Sequence, residues 1–184
     1  PRNRYVPMVA TIMGECYGGP SWTASVSDIV IQVKGSIMAV AGPAILEIAT
    51  GEASQAEELG GWELHAHSTG LVDVFAEDDE DCLWKVRDVL GYFPLNADHL
   101  PPYVPTSESS NKRLDSILDV VPADPKGVYD MHHVIEMIAD PNSILELKPY
   151  YDGSLITCLA RLDGHVVGIL ANNPLVNVGA MGPG

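Results

Sequence analysis

The apolar runs of this 184-residue chain are short, and each is cut off by a turn former or a charge. Val9 to Met13 stops at Gly14, Ile29 to Val33 stops at Lys34-Gly35, and Ile37 to Val40 ends just before Gly42-Pro43. Leu155 to Leu162 and His165 to Ala171 flank Asp163-Gly164, the pattern of a hairpin closed by a type I′ turn. Runs of this length suit buried strands and fall well short of the roughly 20 residues a membrane helix needs.

Helix signals lie between them. Proline is favoured at the first helical position, so Gly19-Pro20 reads as a helix start, with the helix running through about Val26. Ser54-Gln55-Ala56-Glu57 reads as a capping box for a short helix that stops at Gly60-Gly61. Asp78 or Asp79 caps a longer helix with Leu83, Val86 and Leu90 on one face and Gly91 at its end. The acidic run Glu77 to Asp81 is a solvated helix start, at the positive end of the dipole. Asp130 caps a further helix, expected to turn Val134, Ile135, Met137 and Ile138 inward. Strands and helices alternate in both halves, so the fold class is α/β. Pro94 to Pro125, proline-rich and polar and including Ser107-Glu108-Ser109-Ser110, reads as a linker. It separates residues 1–93 from a second unit, 126–184.

Charge narrows the partners. The formal net charge is −15 with only ten Lys and Arg, which leaves no basic footprint for nucleic acid or an anionic membrane surface. A phosphate-bearing ligand would need local cations, and Arg2 and Arg4 are the basic pair nearest the Gly18-Gly19 turn. Cys16, Cys82 and Cys158 are odd in number and far apart, which fits reduced thiols in a cytoplasmic or matrix protein. No signal peptide is visible. The chain opens on Pro1 and closes on Met181-Gly182-Pro183-Gly184 directly after a strand-like run, so it reads as a piece of a longer protein.

The turn Gly18-Gly19-Pro20 carries the sharpest chemistry. A strand ends, two residues lack side chains, and a helix begins, whose first N–H groups have no intrahelical acceptor. Such donors stabilise a developing oxyanion, and a thioester enolate is one. On local sequence alone, an ordinary tight turn before a core helix is the competing reading.

The wider pattern adds to this. Gly14-Glu15-Cys16-Tyr17-Gly18-Gly19, Trp22, Ser27-Asp28, Gly42-Pro43, Thr50-Gly51-Glu52, Glu57-Glu58-Leu59-Gly60-Gly61, His65 and Thr69-Gly70 come first. Tyr129-Asp130, Asp140, Glu146, Ala160-Arg161-Leu162-Asp163-Gly164, Val167-Gly168-Ile169 and Ala171-Asn172-Asn173-Pro174 follow. In order and spacing this series resembles the carboxyltransferase (β) subunits of biotin-dependent propionyl-, acetyl- and methylcrotonoyl-CoA carboxylases and related decarboxylases.

The resemblance implies a crotonase-like β-β-α spiral, here the end of the N-terminal half and the start of the C-terminal half. It implies CO2 transfer from carboxybiotin to the α-carbon of an acyl-CoA, with the enolate oxygen held by the backbone amides of Gly18 and Gly19. Tyr17, Pro20 and Trp22 fall where the acyl substrate would bind. Many members have a small residue at the positions of Tyr17 and Pro20, and Trp22 is often Tyr, so the acyl group is not carried over. Implied partners are a homo-oligomer of β subunits and a biotin carboxylase with its biotin carrier. No metal is expected, and the compartment is cytoplasmic, or the mitochondrial matrix in a eukaryote.

Other residues point elsewhere. His65 and His67 alternate, so on a strand they would share a face; without a third ligand, hydrogen-bonded structural roles are expected. Glu15 beside the turn is the only acid on hand for a hydratase-like mechanism. Cys16 has no paired histidine in sequence, and Ser21 and Ser25 lack a Gly-x-Ser-x-Gly setting. The rivals are therefore a decarboxylase subunit of the same family, a catalytically silent fragment, and a CoA-dependent hydratase.

Overall fold

A computed structural model describes residues 5–107, 114–124 and 126–181. Arg2 and Arg4, the Glu108-Ser109-Ser110 part of the expected linker and the closing Gly182-Pro183-Gly184 lie outside the described residues. The chain divides into two compact units: Pro1–Leu90 with Leu95–Ala97, and Gly91–Pro94 with Asp98–Gly184.

In the first unit, β1 (Val9–Ile12), β2 (Glu15–Tyr17) and α1 (Gly19–Ser25) make one pass of a spiral. A second pass is made by β3 (Ile29–Val33), β4 (Ile37–Ala39) and α2 (Pro43–Thr50). Then come α3 (Ala56–Gly60), a π-helical turn over Leu64–Ser68, β5 (Val74–Ala76) and α4 (Asp79–Leu90). Each pass lays one strand in each of two small parallel sheets, β1-β3-β5 and β2-β4. The register puts Val9 opposite Ile29, Ile31 opposite Val74, and Glu15 opposite Ile37. Every residue of the central strand β3 is buried, as its apolar run, broken only by Gln32, requires of a strand covered on both faces.

Buried polar groups stitch this unit together. Gln32 Nε2 donates to the carbonyls of Ser36 (2.9 Å) and Gly60 (3.0 Å). Asp73 accepts the Val30 N–H at 2.8 Å. Gly60 lies so close to β4 that a Cβ there would collide with the Met38 carbonyl, which accounts for its lack of a side chain.

The helices depart from expectation in three places. α3 is capped by Gln55 rather than Ser54, in a box with Glu58. α2 was not anticipated: its sequence carries Ala44, Ile45, Leu46, Ile48 and Ala49, yet none of its residues is buried. Its markers are the end signals, with Gly42 as N-cap, Pro43 in the first turn and left-handed Gly51 at the close. In α4 the inward face is Cys82 and Val89, while Leu83 and Leu90 stand exposed at 57% and 47%. The stripe that packs on β3 and β5 is offset by one residue from the expected one. His65 and His67 sit on the π-helical turn, not a strand; His65 is buried and His67 exposed.

The second unit contains α5 (Ile117–Val120), α6 (Met131–Ile138), β6 (Leu145–Leu147), β7 (Leu155–Leu162), β8 (His165–Asn172) and a 3-10 turn over Asn177–Gly179. The strands form an antiparallel sheet in the order β6-β7-β8. Asp163 (φ 50°) and Gly164 (φ 76°) both adopt the left-handed conformation that a type I′ turn demands. Asp140 clamps the turn, accepting the N–H groups of Asp163 (3.0 Å) and Gly164 (2.7 Å). Asp130 caps α6 by accepting the His132 N–H, and Ile135 is the helix's buried residue. Ile138, expected inward, is 39% exposed. Ile135 packs with Ile156 and Cys158.

Arg161 is buried, and it grips backbone rather than a carboxylate. Its guanidinium donates to the carbonyls of Gly91 (2.6 Å), Pro102 (2.7 Å) and Gly164 (3.5 Å) and lies 4.9 Å from the centre of the Tyr92 ring. The Val104 N–H completes the tie by donating to Gly164 O at 3.1 Å.

Candidate active site at the Gly18-Gly19 turn

Strands β2 and β4 pair from Glu15–Ile37 to Tyr17–Ala39. One step further the Gly18 N–H donates to Ala39 O at 3.2 Å, and the chain then swings into α1. The swing uses φ 70°, ψ −129° at Gly18, a region that side chains disfavour. The obstacle to a side chain there is the dihedral and not space, since the nearest atom to a Cβ would be Val40 O at 4.0 Å. Gly18 O accepts from Ser21 Oγ (2.7 Å) and the Trp22 N–H (3.3 Å). Both backbone groups of Gly18 are thus bonded within the fold.

Gly19 is the first residue of α1, so its N–H has no acceptor in its own helix. The residue is exposed, and a Cβ on it would meet nothing within 4 Å. Pro20 has no N–H to offer. The turn therefore leaves the Gly19 amide without an intrahelical acceptor at the positive end of α1, with Gly18 supplying the bend.

Beside it a cavity of about 250 Å³ runs under α1. Ser21, Trp22 and Ser25 form its roof; Met38, Ala39 and Val40, at the end of β4, form one wall; Leu59, His65 and Leu71 complete it. The lining is mostly apolar and contains no carboxylate among the described residues. Trp22 lines this cavity while remaining 62% exposed, and Pro20, exposed, is not among the residues lining it. Tyr17 turns the other way: a Cβ at Gly42 would sit 3.7 Å from the Tyr17 ring. Three of the residues singled out from sequence (Gly18, Gly19 and Trp22) thus gather at one end of α1, while Tyr17 buttresses Gly42.

The remaining polar groups are structural. His65 Nε2 donates to Met38 O at 2.6 Å, and Nδ1 faces Thr69 Oγ1 at 3.0 Å. A carbonyl can only accept, so Nε2 carries the proton and the ring pins β4 to the π-helical turn. This role was open in the sequence, but its partner, 27 residues away, was not marked there. Burial pushes the Cys16 thiol up, which leaves little thiolate. Burial and then the Glu15 charge raise Tyr17. No cluster of three or more metal-ligating side chains occurs among the described residues, and no described helix is long and apolar enough to cross a membrane.

Two parallel sheets filled alternately by a strand-strand-helix spiral, with a glycine turn at the head of a helix, define a crotonase-like fold. Residues 2–183 match the carboxyl transferase domain, and the chain belongs to that family. It is 36% identical over 177 residues to the methylmalonyl-CoA decarboxylase subunit alpha of Veillonella parvula, covering 96% of this chain and 35% of that protein. It is 37% identical over 176 residues to the biotin-dependent 3-methylcrotonyl-coenzyme A carboxylase beta1 subunit of Mycobacterium tuberculosis (91% and 32%). The transcarboxylase 12S crystal structure, a hexamer assembly with methylmalonyl-coenzyme A and methylmalonic acid bound, superposes with a TM-score of 0.88 at 35% identity (95% and 34%). The chain spans about a third of the length of these relatives.

Proposed function

We propose that this chain forms part of the carboxyltransferase component of a biotin-dependent acyl-CoA carboxylase, acting on a short or branched acyl thioester. The observation that carries the reading is the family match over residues 2–183 on a chain whose glycine turn opens beside an apolar cavity. Biotin on a partner carrier would supply CO2 equivalents, and the residues that receive it fall outside this chain. The residues present fit the acyl side: the thioester oxygen becomes anionic as the α-proton leaves, and the Gly18-Gly19 segment meets that charge. Gly19 serves as donor, and Gly18 holds the bend that aims it. The acyl group lies along α1 against Trp22, with Pro20 shaping the approach, while Tyr17 supports Gly42 and does not reach the acyl group.

On this reading residues 1–93 close the acyl-CoA half, 94–125 link, and 126–184 begin the half facing carboxybiotin in a neighbouring subunit. The active unit is a homo-oligomer in the cytoplasm or matrix, and residues 1–184 alone carry out no carboxyl transfer. Gly19→Pro and Gly19→Ala in the full-length enzyme with its biotinylated partner test the assignment. Proline deletes the donor, and kcat should fall roughly 10²–10³-fold. Alanine keeps the N–H and has room, so it should lose far less. Equal losses, or none, would remove the amide from the mechanism.

The name of the Veillonella parvula relative favours a second reading, a decarboxylase subunit running a related transfer in the opposite direction. Net carboxylation against net decarboxylation of an acyl-CoA panel by the assembled complex separates the two. A hydratase has less support, because no carboxylate lines the cavity among the described residues.

A further inference from the structure

In the second unit, well apart in sequence from the glycine turn, His132 stands between two acids. Its Nδ1 is 2.9 Å from Asp130 Oδ1, and its Nε2 is 3.0 Å from Glu146 Oε1. The same Asp130 oxygen accepts the His132 backbone N–H at 3.0 Å as the N-cap of α6. An ionised carboxylate only accepts hydrogen bonds, and a neutral imidazole has a single N–H. Both contacts can therefore be hydrogen bonds only when both ring nitrogens carry protons. The geometry selects the imidazolium, although it sits in the first turn of a helix, where the dipole disfavours positive charge.

The bridge spans two elements. Asp130 and His132 belong to the start of α6, and Glu146 is the middle residue of β6. Beneath it lies a cavity of about 270 Å³ lined by Ile135, Ile144, Ile156 and Cys158, with Glu136 and Glu146 at its polar side. We propose that Asp130, His132 and Glu146 form an ionic latch that holds the first turn of α6 against β6 while His132 is charged and releases it when the ring loses a proton.

The surrounding charges agree. On α6, His133 pairs with Glu136 at 3.6 Å, and its charge also helps lower Asp130. On β7, Cys158 is kept in its neutral form by burial and then by the Glu146 charge. α5, also packed on α6, carries Asp119. No lysine or arginine lines the cavity among the described residues. Burial alone would lower His132, but its bonds to Glu146 and Asp130 outweigh this and raise it above the ordinary 6.5. Burial would raise Asp130, and its bonds from His132 reverse that, leaving it below 3.8. The latch's contribution is therefore complete below the ordinary histidine value and lost as pH rises through the raised one. At the acid end it is lost as pH falls through the lowered Asp130 value.

The test uses the full chain with ring-labelled histidine, followed by NMR through a pH titration. Both His132 nitrogens should be protonated at the ordinary histidine value of 6.5, with a midpoint above it, and Glu146→Gln should lower that midpoint. Hydrogen exchange of the Val134–Met137 amides should rise about threefold beyond its ordinary base-catalysed increase as pH passes the His132 midpoint. His132→Arg, a permanent cation, should abolish that extra rise. A wild-type His132 midpoint at or below the ordinary 6.5 overturns the latch without any variant. A normal midpoint shift with no change in α6 exchange shows an ion pair that holds nothing, and overturns it too.

Discussion

The two units solve strand pairing differently. In the first, every pairing between the named strands is parallel among the described residues, so each partner lies a crossover away: β1 meets β3 twenty residues on, and β3 meets β5 forty-three residues on. Buried side chains then fix what the ladder leaves loose, as Gln32 reaches Gly60 and His65 reaches Met38. In the second, one turn sets the β7–β8 pair. Once Asp163-Gly164 places Leu162 opposite His165, the register follows to Leu155 opposite Asn172. A turn specifies its hairpin locally, whereas a parallel sheet is specified by contacts that no local segment contains.

That contrast can be attacked directly. The largest expected effect is Gly164→Ala, which adds a side chain at φ 76° and drives it into the Val104 carbonyl. A loss of roughly 2–5 kcal/mol should appear in denaturant unfolding, with β7 and β8 amides losing protection first. Gly60→Ala, pressed against the Met38 carbonyl, should cost about 1–3 kcal/mol and loosen β3 and β4 while the hairpin amides stay protected. If the hairpin loosens equally, the two pairing modes do not unfold separately. Asp140→Asn keeps one acceptor for the turn but places an amide group against the second N–H, so a loss near 1 kcal/mol is expected. Gly168→Ala is the smallest and opposite in sign. It lies in β8 with no atom within 4 Å of the added carbon, and should stabilise by about 0.5 kcal/mol. A large loss there would mean that β8 has a neighbour close by in the assembled protein.

Legibility followed the same line. The α1 start at Gly19, the β3 run, the α6 cap at Asp130 and the whole hairpin were readable because their signals lie within a few residues. β2, β5 and β6 escaped notice. Each is three residues long, too short for a period to show, and is defined by its pairing alone. The α4 face was read one residue out of phase, since Leu83 and Leu90 look like core residues until β3 and β5 select Cys82 and Val89 instead. At the candidate site, Gly18-Gly19 was found from the strand-to-helix break and from the resemblance. The division of work between the two glycines depends on Ala39 O, and nothing near residue 18 in the sequence announces that carbonyl.

Arg161 carries a last consequence. By holding the carbonyls of Gly91 and Pro102, residues 70 and 59 positions before it, the guanidinium acts as an indexing pin that counts the chain between them. One residue inserted between Tyr92 and Pro102 would force one of those carbonyls off the pin. Insertions after Val104 are not counted by it. Drift in length over evolution should therefore collect on the far side of Val104 and leave the stretch from Gly91 to Val104 at constant length.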